Sequence, residues 1–192
     1  MTLVRVLWTA LALGAGTAAL HPQAALPQPQ EPPALPEYVV KAGFLFNFAK
    51  YVEWPAEAFE KAETPISIGI VGADPFGDGL EKALKNKTVR NRPFVVLRFP
   101  DRSGLQRCHI LFIPRTEREN LTGILKQVET WPVLTVGEDD GFTRAGGTTN
   151  ILIEKEKPRL EVNPEAAEKA RLTIDPKLLK VAAIVRTGKE PR

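Results

Sequence analysis

Apolar residues return every three to four positions from residue 38 to residue 52. Val40, Phe44, Phe48 and Val52 stand four apart, and Tyr38, Ala42, Leu45 and Ala49 form a neighbouring stripe. This period predicts a helix over Glu37–Glu53, stopped by Pro55, with Phe44, Phe48 and Val52 in the core. The remaining face carries Lys50 and Glu53, yet Val39 and Phe46 lie among them. A helix that is apolar nearly all round is either deeply buried or covered by a second molecule. Val39 and Phe46, with Tyr51 and Trp54 at the end of the segment, are therefore candidates for a partner-binding surface. The competing reading places them in the core or in a homodimer contact. Aromatic anchors bury much area with few rotatable bonds, which favours them at interfaces.

Beyond Pro55 the pattern changes to short apolar runs. "ISIGIVG" (66–72), "FVVLRF" (94–99), "HILFIP" (109–114) and "VLTVGE" (133–138) read as strands. Between the first two, Asp74 suits an N-cap and Pro75 a first helical position. A helix follows the third strand across 117–129. Strand–helix alternation at this spacing predicts an α/β fold, a doubly wound and mostly parallel sheet flanked by helices. The segment 148–162 then reads as an antiparallel hairpin near the C-terminus, turning at Lys157-Pro158. Asn163-Pro164 and Asp175-Pro176 each start a helix, the second ending near Val185.

The first residues change the picture of where this domain works. Arg5, an apolar run from Val6 to Leu13, and the small residues Thr17-Ala18-Ala19 have the form of an export signal over 1–19. Residues 20–36 follow as a proline-rich spacer, with six prolines between Pro22 and Pro36. Residues 37–186 form a single α/β domain, and 187–192 a tail. Removal of the signal takes away Arg5 and no acid, lowering the net charge from +3 to +2. The expected location is the periplasm. Basic and acidic residues are interleaved without a basic stripe, so a nucleic-acid partner is not expected.

Chemistry is poorly supplied. His21 falls in the spacer and His109 opens an apolar strand, where a structural role is expected. Cys108 is the sole cysteine, so no disulfide can form within the chain, and a buried, unpaired thiol is expected. Neither a Ser-His-Asp nor a Cys-His arrangement is available beyond these residues, and no His/Cys cluster has zinc spacing. A hydrolase built on His109 is the least favoured reading. No catalytic centre, metal or cofactor is expected. Two loops remain. "GIVGADPFGDG" lacks the spacing of a phosphate-binding loop, and Asp74 would oppose a phosphate there. "GEDDGFTRAGGTTN" follows the C-terminal end of a strand, the edge at which open α/β sheets bind ligands. Its acidic triplet Glu138-Asp139-Asp140 lacks the alternation of a calcium loop. A crevice between Asp74, Phe76 and Gly77 on one side and Arg144, Gly146, Gly147 and Asn150 on the other is the candidate site for a nucleotide-like or anionic small molecule.

Five segments in order, "KAGFLFNFAKYVEWP", "IGIVGADPFGDGL", "CHILFIP", "VLTVGEDDGFTRAGGTTNILIE" and "RLEVNPEAAEKARLTIDPKLLKVAAIVR", make the chain resemble the YfiR-like family of periplasmic proteins over about residues 36 to 186. The resemblance implies an exported, non-catalytic regulator that commonly dimerises. It implies binding and repression of the periplasmic part of a membrane-bound diguanylate cyclase or similar sensor, with effects on cyclic di-GMP and biofilm formation. One departure stands out. Family members often carry a cysteine in the first strand, where this chain has Gly69, paired with the one that here is Cys108; a second pair is also missing. Control by disulfides is therefore not expected.

Overall fold

A computed structural model describes residues 36–188. The expected signal, nearly all of the spacer and most of the tail lie outside them. The described chain begins with α1 (Glu37–Tyr51) and β1 (Val52–Glu53). It continues through β2 (Ile66–Val71), α2 (Gly79–Leu84), β3 (Phe94–Phe99) and β4 (Ile110–Ile113). Next come α3 (Leu121–Val128), β5 (Leu134–Gly137), β6 (Thr149–Glu154) and β7 (Lys157–Val162). Then α4 (Pro164–Lys169), β8 (Thr173–Ile174), α5 (Pro176–Leu179) and β9 (Ala183–Ile184) close the order.

Seven strands make one sheet in the order β3-β2-β4-β5-β6-β7-β9. The β6–β7 pair is antiparallel and the other pairs are parallel. The expected architecture holds, including the antiparallel hairpin. Its cause is visible in the strands: β2, β4 and β5 are buried at every position, as parallel strands covered on both faces must be. Ile66, Ile68, Ile70, Ile110, Phe112, Leu134 and Val136 meet Ala42, Leu45, Phe48 and Ala49 of α1 in the larger core. Val71, Leu111, Ile113 and Val133 meet Ile124 and Val128 of α3 in the smaller one on the opposite face. Burying each of the Val, Leu, Ile and Phe side chains among them fully contributes about 1.5–3 kcal/mol.

Several local expectations are corrected. The first helix ends at Tyr51, because Val52 and Glu53 leave it to pair antiparallel with Ile174 and Thr173. Phe44 is half-buried, its ring 6.1 Å from that of Phe48, rather than fully inside. Asp74 does not cap a helix: its Oδ1 accepts from the Phe76 amide at 2.7 Å, and α2 starts only at Gly79, after Gly77 adopts φ +56°. The helix expected from 117 begins as a 3-10 turn over Arg115–Asn120 before α3. The hairpin turns at Lys155-Glu156, both with positive φ, since Glu154 pairs with Lys157. Pro158 sits within β7, beyond the reach of β9, which pairs only with Glu161 and Val162. The last helix stops at Leu179, and Ala183–Ile184 joins the sheet instead.

Candidate functional site

The sheet runs from β2 to β3 in one direction and to β4 and β5 in the other, which sets its switch point at the C-terminal ends of β2 and β4. Doubly wound folds hold ligands in that crevice. Here the chain's own side chains occupy it. Gly72 (φ +76°) lies under Glu117, whose Oε1 would be 2.2 Å from a Cβ at that position. Phe76 is buried edge-on to Phe112, with ring centroids 4.8 Å apart, and Tyr38 meets Phe76 at 5.4 Å.

An ionic cluster seals the same edge. Lys41 of α1 is 0% exposed, and its Nζ donates to Glu138 Oε2 at 2.5 Å and to Glu37 Oε1. Glu138, just past β5, also accepts from the Arg115 amide at 2.9 Å and from the Tyr38 hydroxyl at 3.4 Å. Arg115 Nη2 reaches Glu37 at 2.9 Å. Burial pushes the Glu37 carboxyl up, but Lys41 and Arg115 outweigh it and hold the group below the usual range. Burial, then the neighbouring Glu138, raises the Tyr38 phenol to about 12. A buried lysine needs paired carboxylates, so this cluster ties the start of α1 to the ends of β4 and β5. The pattern of the sequence did not reveal it, because Lys41 falls on the apolar stripe of α1 and Glu138 inside an acidic triplet that reads as solvated.

The two loops singled out from sequence are each held by contacts of their own. Asp74 is engaged with Arg98, whose Nε lies 2.7 Å from its Oδ2; Arg98 also holds Glu81 at 2.5 Å and the Gly77 carbonyl at 2.7 Å. On the other side Phe142 fills the loop. A Cβ on Gly147 would lie 2.0 Å from its ring, and one on Gly137 2.2 Å, so both glycines are there to seat an aromatic ring. Arg144 gives its carbonyl to the Gly188 amide at 3.2 Å. Asn150 is fully buried and donates to the Asp139 carbonyl at 2.9 Å and to Glu161 at 3.2 Å. A cavity of about 270 Å³ opens elsewhere, between α3, the 145–148 segment and α4. Thr122, Lys126, Thr135, Thr148, Lys169 and Gly146 are among its lining residues, while Asp74, Phe76, Gly77, Arg144, Gly147 and Asn150 are not.

Cys108 and His109 are structural in their surroundings. The Cys108 thiol is buried and pushed up to about 12 by desolvation. A Cβ on Gly69 would lie 3.0 Å from its sulfur and 2.7 Å from Phe99, so the neighbouring position is shaped for hydrogen. His109 stacks on Phe59 with centroids 4.4 Å apart. Its Nδ1 faces the Ser67 amide at 3.0 Å and its Nε2 the Ala58 carbonyl at 3.1 Å. That pattern fixes the tautomer with the proton on Nε2, and burial lowers its pKa.

The partner-surface residues divide. Trp54 is 8% exposed and its indole N–H donates to the His109 carbonyl at 2.9 Å, so it belongs to the core and presents no surface. Val39 is 52% exposed. Phe46 is half-buried, 5.8 Å from Phe94, with Lys87 and Lys50 over its ring at 4.7 and 5.7 Å. Tyr51 is half-buried beneath Lys50, at 5.6 Å. Val39, Gly43, Phe46, Asn47 and Lys50 recur at helical spacing and make the outer face of α1. A Cβ at Gly43 would meet nothing within 4 Å among the described residues.

The fold is that of an α/β protein with a mostly parallel sheet, and Val39 is an exposed apolar residue on the outer face of α1. The model of the YfiR/HmsC-like family matches residues 38–183, most of the chain, and the chain belongs to that family. The family is regulatory and non-catalytic, its members are periplasmic, and membership supports a general role in diguanylate cyclase signalling. Among solved structures the chain is similar to a conserved domain protein from Vibrio cholerae O1 biovar El Tor str. N16961. The two are 13% identical with a TM-score of 0.50, over 62% of this chain and 54% of that one, a likeness of fold alone. The search of curated proteins gave no match.

Proposed function

We propose that this chain is exported to the periplasm and there binds and represses the periplasmic part of a membrane-bound diguanylate cyclase. Loss of the contact raises cyclic di-GMP and promotes biofilm. The outer face of α1 is the contact. The observation that carries this is Phe46, a half-buried aromatic ring between Lys50 and Lys87, in line with exposed Val39. Gly43 between them supports it: a mid-helix glycine costs roughly 0.5–1 kcal/mol against alanine, and no contact among the described residues requires it. Tyr51 extends the face at its end. A regulator of this kind shifts its partner between two states through a difference in affinity for them.

The test is binding of the purified periplasmic domain of a cyclase from the source bacterium to wild type, Val39→Asp and Phe46→Asp. Loss of binding at an unchanged melting temperature supports the reading. Equal binding by all three rejects it. Sedimentation of the same variants tests whether the face instead joins two copies, as the family resemblance implies. A small-molecule module is the second reading, and the cavity of about 270 Å³ beside Lys126 and Lys169 favours it. A thermal shift with nucleotides and small anions tests it; no shift by any of them removes it.

A further inference from the structure

The two edges of the sheet are built differently. β9 is two residues long, a blunted end. β3 has six residues and, among the described residues, pairs only with β2. The Pro93 and Phe99 carbonyls accept from Ile66 and Gly72, so those positions face β2. A strand residue points its N–H and C=O to the same side, and the side alternates. Phe94, Val96 and Arg98 therefore turn their backbone groups outward, and among the described residues no backbone partner meets them there. Val95 is 39% exposed on this strand. A long apolar edge of this kind is a template for pairing with another chain unless it is protected.

The surroundings state the chemistry of what pairs. A groove of about 320 Å³ runs beside the strand between the end of α2 and the start of β3, lined by Lys85, Lys87, Phe94 and Val96. Lys87 and Lys50 stand over Phe46, which packs on Phe94. Among the described residues Lys50, Lys85 and Lys87 have no carboxylate partner. Glu81, the one acid lining the groove, is bound to Arg98 at 2.5 Å. A second copy of this chain would bring the same lysines to the edge and be repelled.

We infer that the β3 edge takes an acidic, extended segment of a protein partner by strand addition, with its carboxylates set against Lys50, Lys85 and Lys87. The inference rests on the reading of the chain as a regulator that binds a membrane partner, and extends its surface from α1 onto the sheet. Backbone pairing supplies the register and the lysines select the charge.

The experiment uses the full chain and a dye-labelled ten-residue peptide of alternating Glu and Val, followed by fluorescence anisotropy and amide exchange. Saturable binding that weakens with added salt is expected, with slowed exchange at the Phe94, Val96 and Arg98 amides. The Lys85→Glu/Lys87→Glu variant, altered only at exposed positions, should weaken binding at least tenfold with an unchanged melting temperature. A peptide with Lys in place of Glu should not bind. Absence of saturable binding overturns the inference, as does binding indifferent to Lys85→Glu/Lys87→Glu. Slowed exchange confined to other segments, or self-association through β3, also overturns it. The same variant is then measured against the cyclase domain. If the domain binds it as well as wild type, strand addition falls and the contact through α1 stands. If the domain binds neither while the acidic peptide binds wild type, the regulatory reading falls and the edge site stands.

Discussion

Lys41 and Lys50 lie on one helix and meet opposite surroundings. Lys41 is fully buried and held by Glu37 and Glu138, with Tyr38 beneath it at 4.8 Å. Lys50 is exposed and covers the rings of Phe46 and Tyr51 without a carboxylate among the described residues. The first half of α1 is locked to the C-terminal edge of the sheet, where a ligand would otherwise sit. The second half lies beside the β3 edge, where Phe46 packs on Phe94 and Lys50 and Lys87 stand over its ring. Fixing one end of a helix and leaving the other accessible presents a recognition face on a rigid support, which reduces the ordering cost of binding.

Breaking the locked half has the largest expected effect. Glu138→Ala removes an acceptor from Lys41, from Tyr38 and from the Arg115 amide. A loss of about 3–5 kcal/mol is expected, read from the urea midpoint. Lys41→Met combined with Glu138→Leu should recover part of it, because a broken buried pair costs more than an absent one. A loss below about 1 kcal/mol in Glu138→Ala would mean that the cluster is not the lock described, since the change leaves buried Lys41 with Glu37 alone and takes an acceptor from the Arg115 amide and the Tyr38 hydroxyl.

Acid and alkali act on the interior rather than on the open face. His109 has its pKa lowered by burial, so the unfolded chain binds the extra proton first. Its contribution is present above 6.5 and is lost as pH falls below that value. Cys108 is raised from 9.0 to about 12, so its contribution is present below 9.0 and is lost as pH climbs toward 12. The melting temperature is expected to be level between about 6.5 and 9.0 and to drop on both sides. Replacing His109 with Gln should flatten the upper part of the acid limb; an unchanged limb would remove His109 from the explanation.

The outer face of α1, which runs along both halves, responds more gently. Gly43→Ala is expected to stabilise by about 0.5–1 kcal/mol, because a Cβ there meets nothing among the described residues. Destabilisation would mean that the position is covered in solution, as a homodimer would cover it. Val39→Asp should change stability by less than about 0.5 kcal/mol while weakening partner binding.

Much of this was legible in the sequence where one principle acted alone. The buried strands, the parallel order and the hairpin follow from apolar runs and their spacing. The misplaced features are those decided by distant partners. Val52 and Glu53 continue the helical period but pair with Thr173 and Ile174. Residues 183–184 continue an apparent helix but complete the sheet beside β7. Gly146-Gly147 reads as an anion loop, and only the position of Phe142 shows why Gly147 must lack a side chain. Trp54 reads as an interface anchor until its N–H is seen to meet the His109 carbonyl. Val39 and Phe46, by contrast, were visible as apolar residues on the polar side of a helix, and no distant contact hides them fully.

The most direct measurement is intracellular cyclic di-GMP in the source bacterium lacking this gene, complemented by exported wild type or by Phe46→Asp. The account expects a rise on deletion, reversal by wild type, and no reversal by Phe46→Asp even though the variant reaches the periplasm folded. Cyclic di-GMP that does not change on deletion, or that Phe46→Asp restores as well as wild type does, would contradict it.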